Sequence, residues 1–394
     1  MVELFSDKKN CSGCTACQFA CPKDLITMES DNEGFLYPRI NNIDACTECM
    51  ICAKVCPLRG DKYFALETFD TPVVYAVKHK SAEVLAGSTS GGLFTAISDY
   101  VLENNGYIIG AAYDETFSVR HIIVNTIKGR DQLRGSKYVQ SRKENVFPEI
   151  KKLLKDGNLV YFTGLPCDVA GLHAFLRRKF DNLITSDLIC HGVPSPKIFS
   201  DYLSFIKTKY KSKSIKSVIA RSKKRGWLHP HMEINIFDKT YLQSHFSDPF
   251  YKLFYKNIIL RPSCHSCKFT NLQRTSDITL ADFWGVEKHH PKFFDNGGVS
   301  LALINTAKGQ KVFESIKGKI SWIESNIQNC IQPNLHKPSK ASPKREAFWG
   351  DYHRYGYNFV QKKYVGSPFK NRIKSQFLYP IVKRLGILKL FKKG

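Results

Sequence analysis

Between residues 73 and 210 the chain alternates short apolar runs with longer amphipathic ones. Residues 73–79, 107–112, 119–126, 159–163 and 183–190 are rich in Val, Ile, Tyr and Phe and too short for helices, so they read as strands. Residues 92–104, 146–155, 167–178 and 195–210 space their apolar side chains three and four apart, as a helix with one buried face does. Further on, 217–220, 231–237, 277–282 and 299–304 read as strands, and 248–260 and 308–316 as helices. This alternation predicts a mixed α/β domain with its loops gathered at strand ends. Residues 332–342, rich in Pro, Lys, Ser and Asn, read as a linker or surface loop. Residues 372–393 carry Ile373, Phe377, Ile381, Leu385 and Leu388 at helical spacing among lysines and arginines, with Pro380 breaking the pattern.

The first 62 residues follow a different rule. Cys11, Cys14, Cys17 and Cys21-Pro22 read C-x2-C-x2-C-x3-C-P, and Cys46, Cys49, Cys52 and Cys56-Pro57 repeat it 35 residues on. This is the spacing of a bacterial two-cluster ferredoxin, in which the fourth cysteine of each run crosses to the other cluster. Cys11, Cys14, Cys17 and Cys56 are therefore expected on one [4Fe-4S] cluster, and Cys46, Cys49, Cys52 and Cys21 on the second. Zinc knuckles need only paired C-x2-C, and a disulfide framework belongs to short secreted chains. The expected fold class is α+β: a ferredoxin-like module over 1–62, a larger mixed α/β domain over 73–330, and a basic extension over 331–394.

Charge sharpens this division. The net charge of +24 over 394 residues is uneven: residues 1–62 hold seven Lys/Arg against nine Asp/Glu, and 354–394 hold eleven Lys/Arg and no acid. The basic tail has three readings: a solvated charge run, an interfacial helix on an anionic membrane, and, least of all, a nucleic-acid contact, for which no recognition module is present. The polar N-terminus and the lack of a long apolar run predict a cytoplasmic protein, at most peripheral at the inner membrane face.

Four more cysteines stand apart. Cys264 and Cys267 form a C-x2-C pair, Cys167 opens a predicted helix, and Cys190 closes a predicted strand. Spacing leaves open whether they share a metal or are buried core thiols. Cys330 matches nothing and reads as a core residue. Several motifs then carry a resemblance: Ser90-Gly91-Gly92, the run from Gly135 to Ser141 (GSKYVQS), Gly164-Leu165-Pro166-Cys167, Asp187 to Pro196 (DLICHGVPSP), Arg261 to Cys267 (RPSCHSC) and Ser276 to Gly285 (SDITLADFWG). In this order they resemble the coenzyme F420 hydrogenase and dehydrogenase beta-subunit family, over residues 73–305.

The resemblance implies FAD in the larger domain and a third [4Fe-4S] cluster on Cys167, Cys190, Cys264 and Cys267, with zinc the second reading and free thiols the third. It places the flavin near Ser88, Ser90, Gly91, Gly92, Ser136, Lys137, Tyr138 and Gln140. A Ser/Gly loop ahead of a helix has its own rationale, since free N–H groups at a helix N-terminus meet a pyrophosphate; a plain N-cap reads equally well. Lys137 is the candidate cation beside the flavin ring, and His191, next to Cys190, a candidate proton relay or local structural residue. Asp168, where the family has Gln, and Ala281, where it has Gly, depart from the pattern. The implied function is an iron–sulfur flavoprotein oxidoreductase exchanging electrons with a ferredoxin-like or other redox partner, with a tie to surface-polysaccharide metabolism. The alternatives are a non-catalytic electron-transfer subunit and a membrane-recruited accessory protein.

Overall fold

The computed structural model describes residues 3–59, 66–237 and 239–366. The amphipathic segment predicted over 372–393 lies outside the described residues. In chain order the first part holds α1 (Ala16–Ala20), β1 (Ile26–Ser30), β2 (Leu36–Ile40) and α2 (Ile51–Lys54). There follow β3 (Val73–His79), α3 (Ala82–Ala86), α4 (Leu93–Glu103), β4 (Tyr107–Tyr113), β5 (Val119–Val124), α5 (Ile127–Leu133), α6 (Val146–Lys155), β6 (Val160–Thr163), α7 (Pro166–Leu176) and β7 (Leu183–Leu188). Next come α8 (Pro196–Lys209), β8 (Ile215–Ser222), β9 (His231–Ile236), β10 (Thr240–Ser244), α9 (Pro249–Tyr255), β11 (Ile278–Asp282) and α10 (Val286–His289). The chain continues with β12 (Ser300–Ile304), α11 (Ala307–Ile316), β13 (Ile320–Ser325), α12 (Ile327–Cys330) and α13 (Arg345–Val360).

The central sheet has eight strands in the order β13-β3-β12-β11-β7-β6-β4-β5. β11, β7, β6 and β4 run parallel, whereas β12 pairs antiparallel with both β11 and β3. The buried strands show why the pleat fixes the layers, since successive side chains face opposite sides. Ile108, Tyr161 and Ile184 enter one core with α4 and α11, while their neighbours Ile109, Phe162 and Leu183 enter another with α6 and α7. β12 is buried at all five positions, as expected of a strand covered on both faces.

The second core also contains Cys14, Ala16 and Val55, with Phe19 and Ile51 packed against it. The ferredoxin-like module thus shares apolar packing with the sheet's helices. Phe19 of α1 sits 5.8 Å from Phe147 and 6.3 Å from Phe175, ring centre to ring centre. At roughly 1.5–3 kcal/mol per large apolar side chain, this packing fixes the module firmly.

The contacts define two compact units. The first comprises Met1–Pro196, Gly226–Leu228 and Leu260–Ser339. The second comprises Lys197–Arg225, His229–Ile259 and Lys340–Gly394. These units cut across the segments drawn from the sequence. The second holds the antiparallel β8-β9-β10 sheet and a buried Asp248, which caps α9 and accepts from the Tyr202 and Tyr241 hydroxyls.

Two local expectations need correction. The helix predicted over 248–260 ends at Tyr255, because Asn257 turns into the left-handed region at φ 56°. The stretch 332–342 is not a plain surface loop: Leu335 and Ser339 are buried, and the Ser339 hydroxyl donates to His191 O at 2.5 Å. Polar composition signalled a loop, but its polar groups are used inside the protein.

Candidate functional site

The sequence repeat in the first module is also a backbone repeat. Gly13 and Thr15 have φ of 73° and 72°, and the residues 35 positions on, Glu48 and Met50, have φ of 49° and 57°. Each run thus enters its short helix, α1 or α2, through a residue in the left-handed region. Such turns bend successive N–H groups toward one centre, a concavity suited to an anion. A β-branched Thr15 in that region carries about 1–3 kcal/mol of strain, the kind of local cost met at functional sites.

The cysteines then gather into three sets. Burial pushes the Cys14 thiol up to about 12, with Cys56 and Cys11 near enough to add to it. Cys17 is also held well up, by burial and then by Cys14, Cys11, Cys56 and Cys52. A separate cavity is lined by Cys21, Cys46, Cys49 and Cys52 with Leu25, Ile26 and Ile40. Cys56 acts on the thiols of the first run and Cys21 lines the cavity of the second, while Cys17 also lies in the field of Cys52.

A third cavity is lined by Cys167, Cys190, Cys264 and Cys267, together with His191, Gly192, Arg261, Ser12 and Leu58. Cys167 lies just beyond β6 and Cys190 just beyond β7. Parallel strands deliver both to one sheet edge, the usual ligand edge of an open α/β sheet. Cys264 and Cys267 arrive on the loop before β11, and the Val193 N–H donates to Cys264 Sγ at 3.3 Å. Burial, then the neighbouring carboxylate and sulfurs, holds the Cys167 thiol well up; Cys264 is pushed to about 11, mainly by burial. Four such thiols do not ionise together unless a multivalent centre offsets their charge. Among the described residues, no three His, Cys, Asp or Glu side chains close to the spacing of a single metal ion.

Arginines hold this arrangement together. Arg261, 1% exposed, donates to Cys11 O at 2.8 Å, to Leu36 O at 2.9 Å and to Cys11 Sγ at 3.5 Å, and stacks 4.1 Å from the Tyr37 ring centre. It leaves the same chain segment as Cys264, so one side chain touches the first sulfur set and backs the third. Arg274 is buried against Asp187 at 3.0 Å and donates to Leu188 O, Phe269 O and Asn271 O. The adjacent Thr275 hydroxyl donates to Pro166 O at 3.0 Å. Arg274 and Thr275 therefore tie the segments bearing Cys167, Cys190 and Cys267 to one another. A second buried pair, Lys143–Asp168 at 2.8 Å, touches both sets electrostatically: Lys143 favours the Cys14 thiolate and Asp168 opposes that of Cys167. Asp168 is the departure noted in the sequence, and Lys143 is its partner.

The two segments proposed for a flavin also meet, through the Ser136 N–H and Thr89 Oγ1 at 3.2 Å. Several named donors, however, are used inside the protein. Ser88 Oγ donates to Val84 O, Ser90 Oγ to Val299 O, and the Gly91 N–H to Ser300 Oγ. Gly91 is required there, since a Cβ would stand 2.1 Å from Val77 O. Gly92, at φ 85°, caps α4 with no side-chain hydrogen bond, and its carbonyl accepts from the Thr95 and Ala96 N–H groups at 3.0 and 3.3 Å. Lys137 donates to Gln132 O and Arg134 O, and burial brings its amine down to about 7. Gln140 faces the other way: its Oε1 accepts from Leu36 N–H at 2.9 Å, in the ferredoxin-like module. Tyr138 is partly buried, and Cys330 is a core thiol, as expected.

Sequence reading missed Arg261, Arg274, Lys143 and the stacked indoles of Trp227 and Trp284, 5.0 Å apart with Trp227 Nε1 donating to Asp282. An arginine three residues before one ligand-type cysteine, and another seven after its partner, was the available signal for the first two. Nothing local marked Trp227.

Sulfur sets of this kind on a ferredoxin module packed against an α/β sheet define an iron–sulfur electron-transfer protein. Residues 157–328 match the family model for the C-terminal part of the coenzyme F420 hydrogenase/dehydrogenase beta subunit, and residues 10–60 match a 4Fe-4S dicluster domain. The chain thus carries a C-terminal domain of the coenzyme F420 hydrogenase/dehydrogenase beta-subunit kind behind an N-terminal 4Fe-4S dicluster domain. An uncharacterized ferredoxin of Methanocaldococcus jannaschii is 34% identical over 56 residues, 14% of this chain and 70% of that protein. A chain of the F420-reducing [NiFe] hydrogenase complex from Methanosarcina barkeri aligns with 17% identity and a TM-score of 0.46, covering 77% of this chain and 93% of that one. Among the described residues no helix is long and apolar enough to cross a membrane.

Proposed function

We propose that the chain is an iron–sulfur flavoprotein oxidoreductase, which takes single electrons from a reduced carrier and hands them in pairs to a substrate, or works in reverse. Cys11, Cys14, Cys17 and Cys56 would hold one [4Fe-4S] cluster, Cys21, Cys46, Cys49 and Cys52 a second, and Cys167, Cys190, Cys264 and Cys267 a third. The observation that carries this reading is the cavity lined by Cys167, Cys190, Cys264 and Cys267, whose wall includes Ser12 and Leu58 from the ferredoxin-like module. In this reading the sets would form a wire, with the set that includes the exposed Cys49 at its outer end and the Cys167 set at the sheet. The all-cysteine lining and the dicluster module in front of it support iron–sulfur over zinc for the third set.

FAD is the proposed partner of the innermost set, and when bound it supplies the conversion between one- and two-electron steps. The first turn of α4 and the Gly135–Tyr138 turn would hold it, Gly91 letting the backbone approach closely. The Lys137 amine, which donates to Gln132 O and Arg134 O and is lowered to about 7 by burial, would carry or release a proton at the 135–138 turn. His191, on the wall of the third cavity, hydrogen-bonds through its own carbonyl to Ser339, which supports a positioning role beside Cys190.

The internal use of Ser88, Ser90 and Gly91 donors favours a second reading, a non-catalytic electron-transfer subunit without flavin. Anaerobic purification with iron, sulfide and flavin quantified separates the two. About twelve irons and one flavin per chain are expected; about eight irons with no flavin would reject the proposal. A role in surface-polysaccharide metabolism, on an anionic membrane surface reached through the basic tail, belongs to the same proposal. Truncation after residue 366 should then release the chain from anionic vesicles, and unchanged binding would reject that part.

A further inference from the structure

One surface feature beside the cluster module has no part in the sites described above. An open groove is lined by Phe19 and Ala20 of α1, Lys151 and Lys155 of α6, and Phe175, Leu176, Arg177 and Arg178 at the end of α7. Its floor is apolar and its rim carries four cations and no acid. Phe19 and Ala20 lie between Cys17 and Cys21, so the floor is the open margin where the short cysteine-bearing helix α1 packs on α6 and α7.

The cations are free to act. Among the described residues none of the four is held in an ion pair, and Arg177, Arg178 and Lys155 are exposed. Lys179 next to them is different, since it pairs with Glu67 at 2.5 Å. The Lys151 amine lies 5.2 Å from the Phe175 ring centre, and Arg178 lies 4.2 Å from that of Phe180. Burial, then Lys155, Arg177 and Arg178, lowers the affinity of Lys151 for its proton, which places the four charges within one another's field. Keeping like charges together costs stability, so an anionic occupant would relieve repulsion that the fold itself leaves in place. The module around the sulfurs, by contrast, is slightly acidic, with seven Lys/Arg against nine Asp/Glu over residues 1–62. The cations that face α1 all come from α6 and the end of α7.

We propose that this groove is the docking surface for an acidic, single-electron carrier protein. Its acidic rim would meet Lys151, Lys155, Arg177 and Arg178, and an apolar contact would seat on Phe19 and Ala20. In the encounter one electron leaves the reduced carrier and one cluster beside α1 gains it; no bond is made or broken and no proton moves. The inference rests on the reading above only in that single electrons reach the N-terminal clusters, and it does not depend on flavin.

The test is anaerobic stopped-flow reduction of the intact protein, read as bleaching of cluster absorbance. The probes are a reduced acidic bacterial two-cluster ferredoxin and, separately, reduced methyl viologen, a small cation. Reversing the groove in K151E/K155E/R177E/R178E should slow reduction by ferredoxin about 10–100-fold at low salt and flatten its salt dependence. Reduction by methyl viologen should not slow. The milder K155Q/R178Q variant, with iron content checked against the parent, should give an intermediate loss even if the fourfold variant folds poorly. A ferredoxin rate within twofold of the parent in both variants overturns the proposal, and so does equal slowing with both reductants. Binding of the parent to anionic vesicles or to itself that the variants abolish, with the ferredoxin rate intact, would assign the groove to those occupants instead. A preparation that lacks flavin but shows the expected rates would reject the flavin reading and leave this one standing.

Discussion

Replacing Arg274 by Met should empty the third sulfur set while sparing the first two. The guanidinium is 1% exposed and its partner Asp187 is fully buried, 3.0 Å away. It also donates to Phe269 O at 2.9 Å, Leu188 O at 3.0 Å, Asn271 O at 3.1 Å and Thr279 Oγ1 at 3.1 Å. Methionine fills similar space but leaves the buried carboxylate with only the Thr275 and Thr279 hydroxyls and no countercharge, which costs about 3–5 kcal/mol. Against a total stability of about 5–15 kcal/mol this is a large fraction, and it falls on the loop bearing Cys267. Iron should drop from about twelve to about eight per chain, with the loss confined to one cluster signal by electron paramagnetic resonance of the reduced protein. The double variant R274M/D187L removes the lone charge and should recover most of the stability in denaturant melts. It should not recover the iron, because the carbonyls of Leu188, Phe269 and Asn271 still lack their common donor. Full iron in R274M, with stability within about 0.5 kcal/mol of the parent, would refute the reasoning.

The crossed assignment predicts non-additive losses: C21S/C49S should lose about four irons, no more than either single variant, whereas C21S/C14S should lose about eight. The reverse, about eight irons lost from C21S/C49S and about four from C21S/C14S, would show that the sets follow the sequence runs instead. Gly171→Ala would place a Cβ 2.8 Å from Cys14 Cβ and 2.9 Å from its Sγ, so about 1–3 kcal/mol of overpacking and loss of the first cluster are expected, measured by melting and iron content. His121 is held neutral, its pKa lowered from 6.5 to about 4 chiefly by burial and then by Lys143. The unfolded chain binds that proton more readily, so stability is full above pH 6.5 and falls by up to about 3 kcal/mol as pH drops toward 4. His121→Phe, which can keep the stack on Phe162, should flatten that slope in denaturant melts; an unchanged slope would remove His121 as its cause.

The third sulfur set shows where sequence reading stops. Cys264 and Cys267 were recognisable as a pair because their spacing is local, but their meeting with Cys167 and Cys190 depends on sheet order. β11 lies beside β7, and β7 beside β6, so residues about one hundred positions apart finish at one edge. Nothing in a period of two or 3.6 encodes which strand a strand will neighbour. The flavin loop is the converse case. Its two segments do meet, yet the donors that made it attractive, Ser90 and Gly91, bond to β12 and the residue before it, which only the fold brings near. Gln140 was grouped with that loop by position and instead serves the ferredoxin-like module.

By itself the sequence determined what local chain geometry controls. Short cysteine spacings fix which sulfurs one loop can present, and apolar periods fix most strands and helices. Tertiary structure alone decided the seating of the first module on α6 and α7, the buried Arg261, Arg274 and Lys143–Asp168 contacts, and the second compact unit assembled from three separated stretches. The reason is physical. A buried charge or a shared cavity is a property of neighbours in space, and a charged residue beside a cysteine looks the same in sequence whether it faces water or a sulfur.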